Sequence, residues 1–501
     1  MTGTSNGKLG RLRDRLKAIS DLNSAASLLH WDQETYMPQG GVPLRAEQLS
    51  TVSRMAHEML VSTETGRLLD AAEPQDPGTE GYALLRLARR NYDRATKLPS
   101  RLVAELSRAR SLAQPVWARA REESDWEAFA PHLESILVLV RESAEHLGYE
   151  EHPYDALLDL YEPGTKTSLL REMFDGLKAE LVPMIQRLPS GEDRSRPLHG
   201  TFDEEEQEAF GRKIITAFGY DWTRGRQDRV VHPFCITIGG PEDVRITTRF
   251  EKAWLSPALF ATMHEAGHAL YEQGVDPAYS RTPLAGGTSM GVHESQSRLW
   301  ENLVGRSRDF WGHYYPGLQE SFPEALGHID VETFYRAINE AKPSEIRVEA
   351  DELTYNVHVL LRFELEIELL DGGLSVADLP DAWNAKMEEY LDLTPGSAAK
   401  GVLQDVHWSA GLFGYFPTYS IGNVLSVQLF EAAVGHHPEI TGQIGSGEFG
   451  ALLGWLQENV YRHGSRYDPE DLIERATGRP LDSEPYLRYL KTKFGELYGL
   501  A

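Results

Sequence analysis

The segment His264-Glu265-Ala266-Gly267-His268 sets two imidazoles four residues apart with a carboxylate beside the first. On an α-helix, residues four apart stand one above the other, so both rings can offer a nitrogen to one tetrahedral metal at about 2.0–2.1 Å. Glu265 then lies next to an open coordination position, where a carboxylate can take a proton from a polarised water. On a helix this pattern is a zinc-hydrolase signature. The flanking residues predict that helix: Ser256 as N-cap, Pro257 at the first helical position, Phe260, Met263, Leu270 and Tyr271 at helical spacing, and Gly274 as a stop. Gly267 in mid-helix costs about 1 kcal/mol relative to alanine, which a close packing neighbour would explain.

A catalytic zinc usually has three protein ligands and a water. Downstream donors are Glu272, Asp276, His293, Glu294 and Glu301. Glu272 lies about 12 Å along the helix axis from His264, too far to share its metal, and Asp276 sits beside Pro277 in the exit loop. The loop Gly286-Gly287-Thr288-Ser289-Met290-Gly291 turns into a second helical run that begins at His293, returning past the first. Glu294, in its opening turn, is the preferred third ligand, with His293 and Glu301 as alternatives.

The elements around this site read mostly as helix. Apolar and charged residues interleave at three-to-four spacing over 9–29, 44–61, 82–92, 100–122, 126–146, 168–188, 203–218 and 331–341. The exception is a pair of β-rich runs, 232–238 and 243–248, across Gly239-Gly240-Pro241-Glu242. They predict a hairpin just before the metal helix. Its edge could accept an extended peptide by main-chain pairing, or it could simply cap a helical bundle.

With 501 residues and no linker, low-complexity tract or clear repeat, the chain reads as one large unit with two lobes around a cleft. Its 76 acidic residues against 50 basic give a formal charge of −26, which argues against a nucleic-acid partner. No apolar run suggests secretion or a membrane span, and Met1 to Lys8 is polar, so a cytoplasmic location is expected. Cys235 is the only cysteine; this rules out an internal disulfide and makes a thiolate zinc site implausible.

Two further segments carry polar groups in apolar surroundings. Residues 343–351 are expected to open a helix with Arg347, Asp351, Tyr355 and His358 on one stripe, where the plain reading is an Arg347–Asp351 pair. In 401–419, Gln404, His407, Tyr415 and Tyr419 stand among aromatic and small residues, either lining a substrate pocket or satisfied within a core.

Six motifs stand in one order: H-P-F from His232, D-x-R-x-T from Asp243, H-E-x-x-H from His264, H-E-S-Q from His293, I-R-x-x-A-D from Ile346 and G-x-x-Q-D-x-H-W from Gly401. The set resembles the carboxypeptidase Taq family of metallocarboxypeptidases, as do 29–38 and 154–159. The resemblance implies a mainly α fold, a large neurolysin-like helical bundle with a deep cleft and one small β-hairpin beside the metal helix, usually a homodimer. It also implies removal of single residues from free peptide C-termini. It carries over His264, His268 and Glu294 as metal ligands and Glu265 as general base. Arg347 becomes the candidate anchor for the substrate carboxylate, ahead of Arg245 and Arg298. Tyr419, or alternatively Tyr415, becomes the oxyanion donor, and Gln404, His407 and His232 complete the substrate-binding set. The implied cofactor is Zn2+, with Co2+ as the alternative. Two rival functions share the metal site: an endo-oligopeptidase without a carboxylate anchor, and a non-catalytic scaffold with a structural metal.

Overall fold

The computed structural model describes residues 7–500 except 74, 190 and 192; the polar leader Met1 to Asn6 lies outside them. The described residues contain twenty-one α-helices and one three-stranded sheet. The predicted helices are present at Lys8–Thr35, Val42–Leu60, Glu80–Lys97, Ser100–Glu123, Trp126–Leu147, Thr167–Gln186, Glu204–Phe218 and Val331–Ile338.

Local chemistry sets their limits. In Trp126–Leu147 the Asp125 side chain accepts from the Ala128 amide at 3.1 Å, filling one orphan donor of the first turn. The buried Phe129, Leu133, Ile136, Leu137, Val140 and Ala144 then recur at helical spacing. Glu204–Phe218 is capped by Asp203, carries three glutamates in its first turn, and ends at Gly219 with φ of 110°, a value suited to glycine.

The chain gathers into two compact units. The first comprises residues 1–96, 195–338 and 428–480; the second comprises 97–194, 339–427 and 481–501. The sheet belongs to the first. Its strands β1 (Gln227–Arg229), β2 (Cys235–Thr237) and β3 (Val244–Thr248) lie in the order β1-β3-β2. β2 and β3 form the expected hairpin, antiparallel with Ile236 opposite Arg245. β1 adds a parallel partner, Gln227 opposite Ile246, which three polar residues do not announce in sequence.

One expectation is corrected in the second unit. Residues 343–351 do not begin a helix: Arg347–Glu349 is a single 3-10 turn, and the helix is Tyr355–Asp371. The Asp351 carboxylate accepts from the Leu353 and Thr354 amides at 2.9 and 3.1 Å, from the Thr354 hydroxyl at 2.9 Å and from the Lys342 amide at 3.0 Å. It holds the turn before the helix and is not the partner of Arg347.

Candidate active site

The metal-facing helix is Ser256–Gly274. Ser256 is its first residue rather than its cap, with Leu255 preceding it. Thirteen of its nineteen residues are buried, among them Glu265, Gly267 and Glu272, because β3, Glu204–Phe218 and the returning helix pack on it. Gly274 is its last residue, and only glycine fits there: a Cβ would lie 2.6 Å from the Tyr461 Cβ.

The returning helix, Met290–Arg298, is capped by the Ser289 hydroxyl and runs on as a π-helical turn, Leu299–Val304. This turn carries Glu301 back toward the first helix. Local π geometry of this kind is common at functional sites.

Three donor atoms converge between the two helices. The Nε2 of His264 lies 3.8 Å, and that of His268 3.6 Å, from the Glu294 Oε2. Ligands about 2.0–2.2 Å from a tetrahedral ion stand only slightly closer together than this. The group His264, His268 and Glu294 is the candidate metal set among the described residues.

The remaining atoms of these ligands are occupied, as a metal site requires. His264 Nδ1 is 2.9 Å from Glu301 Oε2, His268 Nδ1 is 2.6 Å from His293 Nδ1, and Glu294 Oε1 accepts from Arg298 Nε at 2.7 Å. His293 and Glu301, the alternative third ligands, therefore stand behind the ligands. Glu272 is likewise engaged, accepting from His293 Nε2 at 2.8 Å, from the Gly287 amide at 3.1 Å and from the Thr237 hydroxyl at 3.0 Å.

Electrostatics separate the carboxylates. Burial raises Glu265 to about 7, against the pull of His264, the range wanted of a group that takes and returns protons at neutral pH. Burial opposes the charge of Glu301 too, but the His264 hydrogen bond and the guanidinium groups of Arg298 and Arg306 hold its carboxyl far below its ordinary value. Burial and the neighbouring His293 push His268 well down, toward the neutral imidazole that metals bind. Burial, then Glu265 and Glu272, push the Cys235 thiol up; it is no ligand.

Arg245 makes two contacts with Asp243, at 2.8 and 2.7 Å, and its guanidinium lies 4.3 Å from the Trp31 ring centre. His232 is exposed in the loop before β2.

In the second unit, the remaining predicted residues form one cluster of their own. The Gln404 side-chain oxygen accepts from the Arg347 amide at 2.8 Å. The Arg347 guanidinium lies 4.8 Å from the Tyr419 ring centre, and His407 Nε2 is 3.2 Å from the Tyr419 hydroxyl. Tyr415 packs on both, with ring centres 5.3 Å from His407 and 5.5 Å from Tyr419. Sequence reasoning missed Asp405 and Arg362. Asp405 Oδ1 accepts from Arg347 Nη2 at 2.8 Å and its Oδ2 from Arg362 Nε at 2.7 Å. One carboxylate between two buried guanidinium groups leaves a formal surplus of positive charge. Asp405 stands inside the quoted G-x-x-Q-D-x-H-W motif, which was the available signal.

Comparison with known proteins gives this arrangement its class. Residues 11–494 match the family model for carboxypeptidase Taq (M32) metallopeptidases. The chain belongs to that family and is a metal-dependent carboxypeptidase, which displaces the endo-oligopeptidase and scaffold readings. It is 42% identical over 494 residues to thermostable carboxypeptidase 1 of Thermus thermophilus, covering 95% of this chain and 96% of that protein. It is 39% identical to carboxypeptidase 1 of Bacillus subtilis, with 97% and 98% covered. The crystal structure of the M32 carboxypeptidase from Deinococcus radiodurans superposes with a TM-score of 0.95 at 44% identity, covering 98% of this chain and 99% of that one.

Proposed function

We propose that the chain is a zinc carboxypeptidase that releases single residues from the free C-terminus of peptides, with Glu265 as general base. The observation that carries this reading is the convergence of His264 Nε2, His268 Nε2 and Glu294 Oε2 beside a buried carboxyl raised to about 7. His264, His268 and Glu294 would hold a divalent ion, which would supply Lewis acidity to a water and to the scissile carbonyl.

The chain's own groups do the rest. Glu265 takes a proton from the attacking water as the new C–O bond forms, then delivers it to the amine nitrogen as the C–N bond breaks. The Tyr419 hydroxyl donates to the oxyanion, a contribution on the order of 3 kcal/mol in comparable sites. Arg347 pairs with the terminal carboxylate, and the surplus positive charge of the Arg347–Arg362–Asp405 cluster favours an anion there, since a buried charge without a counter-ion is costly. Gln404, His407 and Tyr415 shape the surroundings of these two groups.

β2 offers a guide for an extended substrate. The pairings of Phe234 with Thr247 and Ile238 with Asp243 turn the main-chain groups of Cys235 and Thr237 away from β3, and strand addition at such an edge is a common mode of peptide binding. His232 precedes it in sequence, and Arg245 stands on β3 opposite Ile236. We assign the whole chain to one catalytic domain, acting as a cytoplasmic homodimer; among the described residues no helix is long and apolar enough to cross a membrane.

The test is a peptide with a free C-terminus, its C-terminally amidated twin, and metal-loaded protein, read by mass spectrometry. A ladder of single-residue losses from the free acid alone is expected. Internal cleavage of both peptides would defeat the assignment.

A further inference from the structure

The two metal-facing imidazoles are supported by unlike groups. His264 Nδ1 meets the Glu301 carboxylate directly, whereas His268 Nδ1 meets a second imidazole, His293 Nδ1, at 2.6 Å. The other nitrogen of His293 lies 2.8 Å from Glu272 Oε1.

Proton counting fixes the direction of this chain. Two Nδ1 atoms at hydrogen-bond distance share one proton. Glu272 accepts from the Gly287 amide and the Thr237 hydroxyl, so its charge favours a third donor, the His293 Nε2–H. His293 Nδ1 is then an acceptor, and the shared proton belongs to His268 Nδ1. That leaves a lone pair on His268 Nε2, the atom 3.6 Å from the Glu294 Oε2. In the opposite tautomer a proton on Nε2 would occupy the place of the metal.

The space for His293 is specific. Gly287 lies so close that a Cβ there would sit 2.8 Å from the His293 ring, and the Tyr271 ring packs beside it at 5.3 Å. His293 immediately precedes Glu294, so one turn of helix provides a ligand and the support of another ligand.

We propose that His293 is a positioning residue that holds His268 in its metal-competent tautomer through the His268–His293–Glu272 chain. This rests on the ligand set proposed above. Outer-shell partners of metal-binding histidines change metal affinity by about 10- to 100-fold.

The experiment titrates metal-free protein with Co2+ against a competing chelator and records the visible d–d spectrum. His293→Leu removes the acceptor at similar bulk. His293→Asn sets an amide oxygen near the former Nδ1 but cannot reach Glu272. His293→Leu is expected to weaken Co2+ binding by about 10- to 100-fold and to shift the d–d bands, and His293→Asn to recover most of the affinity. Unchanged binding and spectrum in His293→Leu overturn the proposal. So does equal weakening in both variants, which would mark a packing role. Should His293→Leu fail to fold, wild-type-like binding in His293→Asn supports the proposal, and weakening of the full size in His293→Asn overturns it. His268→Ala is the control: if it binds Co2+ like the wild type, the ligand set itself is wrong and both readings fall.

Discussion

Gly267 on the metal-facing helix lies against the main chain of Ser297 on the returning helix, so that a Cβ at Gly267 would sit 2.6 Å from the Ser297 Cα and 2.5 Å from the Gln296 carbonyl oxygen. Neither is a flexible tip that can move aside. Gly267→Ala must separate the helices that carry His268 and Glu294. Overpacking of this kind costs about 1–3 kcal/mol. We expect a lower thermal midpoint together with weaker metal binding by chelator competition; unchanged metal affinity would show that the close approach does not set the ligand spacing.

Glu265→Gln keeps the size of the side chain but removes the proton acceptor. Metal content after dialysis should match the wild type while turnover falls by several orders of magnitude. Retained turnover would remove Glu265 from the mechanism.

His264→Ala, His268→Ala and Glu294→Ala each delete one of three converging donors. Each should lose metal on dialysis and most activity with it. Full metal occupancy in Glu294→Ala would take that residue out of the ligand set.

Arg347→Ala should cut kcat/KM for free-acid peptides by about 100-fold or more, the scale expected when a charge-assisted pair is lost, with metal content unchanged. Arg347→Lys should recover only part, because an ammonium cannot reproduce the guanidinium fork. The check is the ratio of free-acid to amidated turnover. An unaltered ratio passes the anchoring role to Arg245 or Arg298.

His407 gives a pH dependence. Burial lowers it from 6.5 to about 4, outweighing the attraction of Asp405. Between these values the unfolded chain binds a proton that the fold refuses. The contribution is therefore fully present above pH 6.5 and is lost as pH falls toward 4, on the order of 3 kcal/mol. Thermal midpoints from pH 7 to 4 should fall less steeply in His407→Gln than in the wild type. Parallel curves would place the titration elsewhere.

The metal-facing helix was legible because its information is local: ligand spacing, a first-turn proline and a mid-helix glycine all lie within nineteen residues. The hairpin was legible from its Gly/Pro turn, whereas β1 was not, since Gln227-Asp228-Arg229 owes its strand geometry to pairing with β3. His293 and Glu301 carry the chemistry of ligands, and only the fold decides whether such a side chain faces the metal or backs a residue that does. Arg347 fails as a local inference for the same reason. Asp351, four residues on, is saturated by the turn it holds, and the true partner, Asp405, is fifty-eight residues away.

The alternation of segments between the two compact units has a consequence for how the chain is made. The metal-facing helix has left the ribosome's active centre by residue 274, yet its unit still lacks residues 428–480, including Tyr461, whose hydroxyl donates to the Gln296 side chain at 3.0 Å. The second unit waits longer still, for the helix Glu484–Tyr498 and its buried Leu490, Phe494 and Leu497. Neither unit can complete its packing until these later segments have been made, so apolar faces of the earlier segments stay open for much of translation. A stop codon ahead of Leu490 would therefore leave the second unit without the buried Leu490, Phe494 and Leu497 of this helix.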